Sequence, residues 1–162
     1  RGQRFLTPKK QYIYIDSAHT TSSFYAVLSE LKEHCSYLTV VFGCAGDKDH
    51  KKRPLIGAVC AAFCHSIIIT EDNSRNESFD DITKEIISSL NEEEKKKCKI
   101  IKARSNAVQH AIRYTPKHGI IAIVGKGTEK KQIQQDKTVY YNDQSAAQYS
   151  CIELFGKKMT SL

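Results

Sequence analysis

Four short segments of this sequence carry residue types from which a binding site could be built. They are Asp16-Ser17-Ala18-His19-Thr20, Gly43-Cys44-Ala45-Gly46-Asp47-Lys48-Asp49, Glu71-Asp72-Asn73-Ser74-Arg75 and Gly125-Lys126-Gly127-Thr128-Glu129. All four are polar, and the glycines of the second and fourth allow positive φ or close approach of backbone to a ligand. Asp16 with His19 at a strand end could meet the ribose or phosphates of a nucleotide. Each segment alone is equally explained as turn chemistry, because glycine and aspartate are common after strands that bind nothing. Neither glycine segment follows Gly-x-Gly-x-x-Gly or Gly-x-x-x-x-Gly-Lys-Ser/Thr, so the sequence holds no phosphate cradle of its own.

What makes the four segments worth reading together is the pattern of elements that would position them. Tyr12–Ile15 is a short β-rich run, followed by Phe24, Val27, Leu28 and Leu31 at helical spacing. Leu38–Phe42 leads to a helix with Pro54 in its first turn, expected to bury Leu55, Val59 and Phe63. Ser66–Thr70 precedes a helix opened by Ser78 and Asp81 as a capping box, with Ile82, Ile86, Ile87 and Leu90 on its apolar face. Lys99–Ile101, a helix over Val108, Ala111 and Ile112, and Ile120–Val124 continue the alternation. Thr138–Tyr141 and a last helix carrying Ala147, Cys151 and Leu154 close it. Strands alternating with helices predict a Rossmann-like three-layer α/β domain with a mostly parallel sheet of about six strands. Thr138–Tyr141, reached without an intervening helix, is the expected antiparallel edge strand. Ligands of such sheets sit outside the carboxyl ends of the strands, and all four segments follow a strand.

Composition narrows the class. A chain of 162 residues with 40% hydrophobic and 27% charged residues suits one globular domain. The net charge of +7 is uneven: residues 1–80 carry ten basic and nine acidic side chains, residues 81–162 fifteen and nine. The surplus lies in Lys95-Lys96-Lys97-Cys98-Lys99, Lys130-Lys131 and Lys157-Lys158, runs without the interleaved aromatics that stack bases, so no nucleic-acid partner is expected. Of the six cysteines only Cys60 and Cys64 are close, with no second pair to complete a zinc site, so no metal is expected and buried reduced thiols are. Without an apolar run of membrane length or a signal peptide, the reading is a cytoplasmic protein with no membrane partner, taken as a monomer. The start at Arg1 is read as that of an excised domain.

In order and spacing, the four segments resemble the C-terminal domain of Mur ligases that add the third residue of the peptidoglycan stem peptide. There the same strand ends carry Asp-Tyr-Ala-His-Thr-Pro, Phe-Gly-Cys-Gly-Gly-Asp-Arg-Asp running to Lys-Arg-Pro, Asp-Asn-Pro-Arg and Gly-Lys-Gly-His-Glu. Arg1-Gly2-Gln3-Arg4-Phe5 is similar to the hinge that enters that domain, and the likeness covers roughly residues 2–148. Ser17, Thr21, Ala45, Lys48, Ser74 and Thr128 depart from the family pattern; serine in place of proline at position 74 predicts a looser loop around Arg75.

The resemblance implies an ATP-dependent ligase, with magnesium, in which the carboxylate of UDP-MurNAc-dipeptide is phosphorylated and an amino acid's amine then attacks. Nucleotide-sugar and P-loop domains would lie upstream of residues 1–162, leaving this domain alone inactive, with no catalytic residue of its own. Asp16 and His19 would lie near the nucleotide. Lys48, Asp72, Asn73, Arg75, Gly125 and Glu129 would hold the incoming amino acid, and the role of Arg53 is left open. Arg75 offers a planar fork for a carboxylate and Glu129 an acceptor for an ammonium, which favours meso-diaminopimelate over lysine. The bland alternative has Arg75 paired with Asp72 or Glu77 in its own loop. A freestanding nucleotide-binding regulatory module is the alternative for the whole chain.

Overall fold

The computed structural model describes residues 2–162. Strand β1 (Gln3–Leu6) is followed by β2 (Tyr12–Asp16), α1 (Thr21–Glu33), β3 (Leu38–Phe42), α2 (Lys52–Phe63) and β4 (Ser66–Ile69). Then come α3 (Phe79–Ile87), the short α4 (Glu92–Lys95), β5 (Cys98–Ile100), α5 (Arg104–Tyr114) and β6 (Ile120–Val124). The chain ends with β7 (Lys131–Gln134), β8 (Lys137–Tyr140), α6 (Asp143–Phe155) and β9 (Thr160–Ser161).

Seven strands form one sheet in the order β5-β4-β3-β6-β2-β1-β9, with β5 through β2 parallel and β1 and β9 adding an antiparallel edge. The expected α/β architecture is therefore present, but its antiparallel edge comes from other residues than Thr138–Tyr141. That segment pairs with Lys131–Gln134 in a separate two-stranded hairpin. The entering segment, whose Arg1 lies outside the described residues, forms β1 from Gln3 onward, pairing Gln3 with Ile15 and Leu6 with Tyr12.

Alternation along β3, β4 and β6 splits the core into two layers. Val40, Phe42, Ile67, Ile69, Ala122 and Val124 face α1, α2 and α3. Val41, Ile68, Ile121 and Ile123 face α5 and α6. Both faces being covered, these strands are, Thr39 and Ser66 apart, apolar rather than alternating with polar residues. The face of α2 differs from the expectation. Ile56, Gly57, Cys60 and Ala61 are buried, whereas Leu55 is 54% exposed and Val59 and Phe63 only half-buried. Arg53 at the start of the helix is itself wholly buried, on the same face as Ile56, Gly57 and Cys60. Ser78 caps α3 by accepting from the Asp81 amide, and Ile82 and Ile86 are buried as expected. All six cysteines are free, and Cys44, Cys60, Cys64 and Cys151 are buried.

Candidate functional site

The four segments leave neighbouring strands: β4, β3, β6 and β2 are adjacent and parallel, so their exits lie side by side on one rim. Between them is a cavity of about 480 Å³. His19, Lys48, Asp72, Asn73, Arg75, Gly125 and Glu129 all contribute to its wall, so the structure brings together seven of the eight residues singled out from the sequence. Asp16 stands apart. Its Oδ1 accepts the Ala18 amide at 2.8 Å and its Oδ2 the Tyr14 hydroxyl at 3.3 Å, so it shapes the first loop rather than lining the cavity. Burial and the neighbouring Asp16 charge push the Tyr14 phenol above its ordinary value.

Backbone geometry sets how closely the loops approach. Thr20 caps α1 in a capping box with Ser23, fixing the turn that presents His19. Gly46 donates its amide to the Asn73 carbonyl at 2.8 Å, and a Cβ there would overlap the Ser74 carbonyl, so only glycine lets the second and third loops touch. Gly125 has φ +115°, a left-handed conformation that an L side chain rarely adopts, and its amide donates to the Asp16 carbonyl at 3.0 Å.

Arg75 also has positive φ, +53°, uncommon for a residue with a side chain. The β7–β8 hairpin holds it there. Arg75 N–H donates to the Ile133 carbonyl at 3.3 Å, the Gln135 amide donates to the Arg75 carbonyl at 2.8 Å, and the Ile133 amide donates to Asn73 Oδ1 at 2.9 Å. Gln132 Nε2 adds bonds to the carbonyls of Glu71 and Asp72 at 3.2 and 3.1 Å. The looser loop expected of Ser74 is not what the structure has. Ser74 is 3% exposed and its hydroxyl donates to Glu71 Oε1 at 2.8 Å, while Gln134 takes Oε2 at 2.6 Å. Side-chain bonds to a buried carboxylate replace the rigidity a proline ring would supply.

Among the described residues, no acidic side chain pairs with Arg75, and its Nε is buried without a hydrogen bond. Both acids of the bland alternative are occupied. Glu77 takes two bonds from Arg53, at 3.1 and 2.6 Å, and Asp72 accepts from Lys126 at 3.1 Å. The cavity thus contains a half-buried guanidinium without a counter-charge, with the Glu129 carboxylate in the same wall.

Two residues that organise this site were not on the list drawn from the sequence. Arg53 joins Glu77 and Glu85 and donates to the Ala45 carbonyl at 3.0 Å, tying the second loop to α3. The Arg53 guanidinium, hydrogen-bonded to Glu77, holds that carboxyl down at about 2. Lys126, with a fully buried side chain, donates to Asp72, Asn73 and Glu129 at 3.0–3.1 Å. The only hint in the sequence was a lysine between two glycines directly after an all-apolar strand.

The description "Mur ligase, glutamate ligase domain" matches residues 1–147. The chain belongs to this Mur ligase family. Mur ligase relatives include the UDP-N-acetylmuramoyl-L-alanyl-D-glutamate--2,6-diaminopimelate ligases of Helicobacter pylori, 35% identical over 144 residues and 89% of this chain, and of Buchnera aphidicola, 36% identical over 160 residues and 98%. That of Haemophilus influenzae is 38% identical over 141 residues, 86% of this chain. The chain spans 31%, 31% and 28% of the lengths of these three Mur ligases. Among solved structures, one of a ligase with that same name superposes with a TM-score of 0.86 at 25% identity, covering 93% of this chain and 31% of the other. A folylpolyglutamate synthase/dihydrofolate synthase with Mn, AMPPNP and L-glutamate bound shares the fold of this Mur ligase domain at a TM-score of 0.53 and 12% identity, over 74% of this chain and 27% of the other.

Proposed function

We propose that this chain is the amino-acid-binding domain of an ATP-dependent ligase that joins meso-2,6-diaminopimelate to UDP-MurNAc-L-Ala-D-Glu in peptidoglycan precursor synthesis. The observation that carries the reading is the unpaired Arg75 guanidinium in one cavity wall with Glu129. A zwitterionic amino-acid end supplies the carboxylate that the buried Arg75 Nε lacks and the ammonium that Glu129 can accept from. The likeness to ligases named for diaminopimelate points the same way.

ATP supplies the phosphoryl group that activates the dipeptide carboxylate. His19 and Lys52 line the same cavity, and Lys52 Nζ donates to the His19 carbonyl at 3.0 Å, so the rim offers cationic and donor groups suited to a polyphosphate. Magnesium fits this domain less well: Asp72 and Glu129, the carboxylates in the cavity wall, are both engaged by Lys126, and the metal would be held by the nucleotide and other domains. The domain's contribution to rate is to place the attacking amine, and orientation of this kind is worth several kcal/mol, about 7–11 at the upper end.

The test is to assay the full-length ligase for phosphate release with ATP, magnesium and UDP-MurNAc-L-Ala-D-Glu. Release that depends on added diaminopimelate supports the reading. Turnover indifferent to diaminopimelate but dependent on a different acceptor overturns it.

A further inference from the structure

Lys126 is held on every donor at the rim. It is wholly buried, is the second residue after β6, and its three donors meet Asp72 Oδ1 at 3.1 Å, Asn73 Oδ1 at 3.1 Å and Glu129 Oε2 at 3.0 Å. A buried ammonium is costly unless it is paired and fully hydrogen-bonded, and here each donor has an acceptor. The arrangement therefore fixes its partners as much as they fix it.

The consequences can be followed atom by atom. Asn73 Oδ1 accepts from both Lys126 and the Ile133 amide, which leaves Nδ2 on the side of Glu129, 3.4 Å from its Oε2. Glu129 Oε2 is occupied by Lys126 and Asn73, while its Oε1 has no hydrogen bond among the described residues. Asp72 repeats the pattern: Oδ1 accepts from Lys126 and from the Asn73 amide at 2.8 Å, and Oδ2 has no hydrogen bond among the described residues. Lys126 thus takes one oxygen from each of two carboxylates that arrive from different strands, leaving the other oxygen of each without a partner among the described residues, on two residues that line one cavity.

We propose that Lys126 is a positioning residue for the amino-acid substrate, holding Asp72, Asn73 and Glu129 so that Oδ2 of Asp72 and Oε1 of Glu129 receive an ammonium group; this rests on the reading of the cavity as the amino-acid site. Lys126 itself touches neither substrate nor reacting atoms. It also cancels one of the two negative charges at that end of the cavity, so the site is matched to one ammonium rather than to a metal ion. Arg75, on the same loop as Asp72 and Asn73, pairs with neither carboxylate that Lys126 holds, so among the described residues the two cations share no acidic partner.

Steady-state kinetics of the full-length ligase test this with Lys126→Met, Lys126→Gln, Glu129→Gln, Arg75→Ala and the Lys126→Met/Glu129→Gln double variant. The expected result is a KM for diaminopimelate raised about tenfold to a hundredfold in Lys126→Met, the scale of a misplaced binding group. The KM for ATP and for the UDP-linked dipeptide should stay within about twofold, and the double variant should resemble Lys126→Met alone because both changes disable one network. Lys126→Gln, which keeps a donor without the charge, should fall between wild type and Lys126→Met, and it carries the test if Lys126→Met does not fold. An unchanged KM for diaminopimelate in a folded Lys126 variant, an equal rise in all three KM values, or full multiplicativity in the double variant overturns the proposal. Arg75→Ala distinguishes the two levels: if it leaves the KM for diaminopimelate unchanged, the reading of the cavity itself is wrong, whereas a rise there with none in the Lys126 variants removes only the role given to Lys126.

Discussion

Arg104 and Asp143 meet as a two-point ion pair in the interior, Nε to Oδ1 at 2.9 Å and Nη2 to Oδ2 at 3.0 Å, with neither side chain exposed to solvent. The same Nη2 donates to the Val124 carbonyl at 3.1 Å and Tyr141 donates to Asp143 Oδ1 at 2.8 Å, so the pair joins α5, the end of β6 and the start of α6 just beneath the Gly125 loop.

Removing one member of a buried pair strands the other charge, at a cost of about 3–5 kcal/mol. Asp143→Ala should therefore lower Tm by roughly 6–20 °C for a domain of this size. The double variant Arg104→Met/Asp143→Leu should recover most of that loss. Thermal unfolding followed by circular dichroism checks both, and a single variant within about 2 °C of wild type, well inside what a stranded charge implies, would contradict the structural role.

The Arg53–Glu77 pair predicts a pH dependence. Glu77 is held at about 2 in the folded chain, below its ordinary value of 4.5. A depressed carboxyl contributes stability that is fully present above the unfolded value and is lost as pH falls through the folded one. Urea midpoints should accordingly decline between about pH 4.5 and pH 2, and Glu77→Gln should decline less over that window while starting lower at neutral pH. Parallel acid limbs in the two proteins would remove Glu77 from the explanation.

Thiol reactivity tests the buried cysteines. Burial pushes the Cys44 and Cys64 thiols up to about 12 and Cys151 to about 11, and pushes Cys60 well above its usual value. Iodoacetamide at pH 8 should label the half-buried Cys35 and Cys98 in the native protein and all six cysteines only after denaturation. Labelling of Cys60 under native conditions would show that the core around α2 opens.

Much of the site was legible because β-rich runs end at polar loops: Ile15, Phe42, Thr70 and Val124 located all four, and a parallel sheet puts such loops on one rim, while the order that makes the four strands neighbours is seen only in the structure. What escaped depends on partners far away in sequence. Lysine after a strand reads as solvated, and only the convergence of Asp72, Asn73 and Glu129 explains why Lys126 is buried. Arg53 is similar: α2 offers two apolar stripes, and the one with Ile56 and Cys60 is buried together with Arg53, whose partly exposed acidic partners Glu77 and Glu85 come from a distant part of the sequence. The hairpin was half seen, because Lys131–Gln134 is too polar to read as a strand, and its function of gripping the Arg75 loop appears only in the backbone bonds.

The chain by itself should neither hydrolyse ATP nor ligate, and should bind ATP with a Kd above about 1 μM, because it contains no phosphate cradle. Phosphate release and titration calorimetry on the purified domain check this. Metal-dependent turnover, or tighter binding, would mean that the nucleotide site has been misplaced.

On the proposed reading, Arg75 pairs with the distal carboxylate that diaminopimelate has and lysine lacks. Lysine would leave Arg75 unpaired in a partly desolvated cavity, at about 1–3 kcal/mol, or about tenfold to a few-hundredfold in selectivity. The deciding measurement is kcat/KM of the full-length ligase for the two amino acids, before and after Arg75→Ala. A preference for diaminopimelate of that size that collapses in the variant is expected; equal use of both amino acids by the unmutated enzyme, or discrimination unchanged by Arg75→Ala, would show that Arg75 does not read that carboxylate.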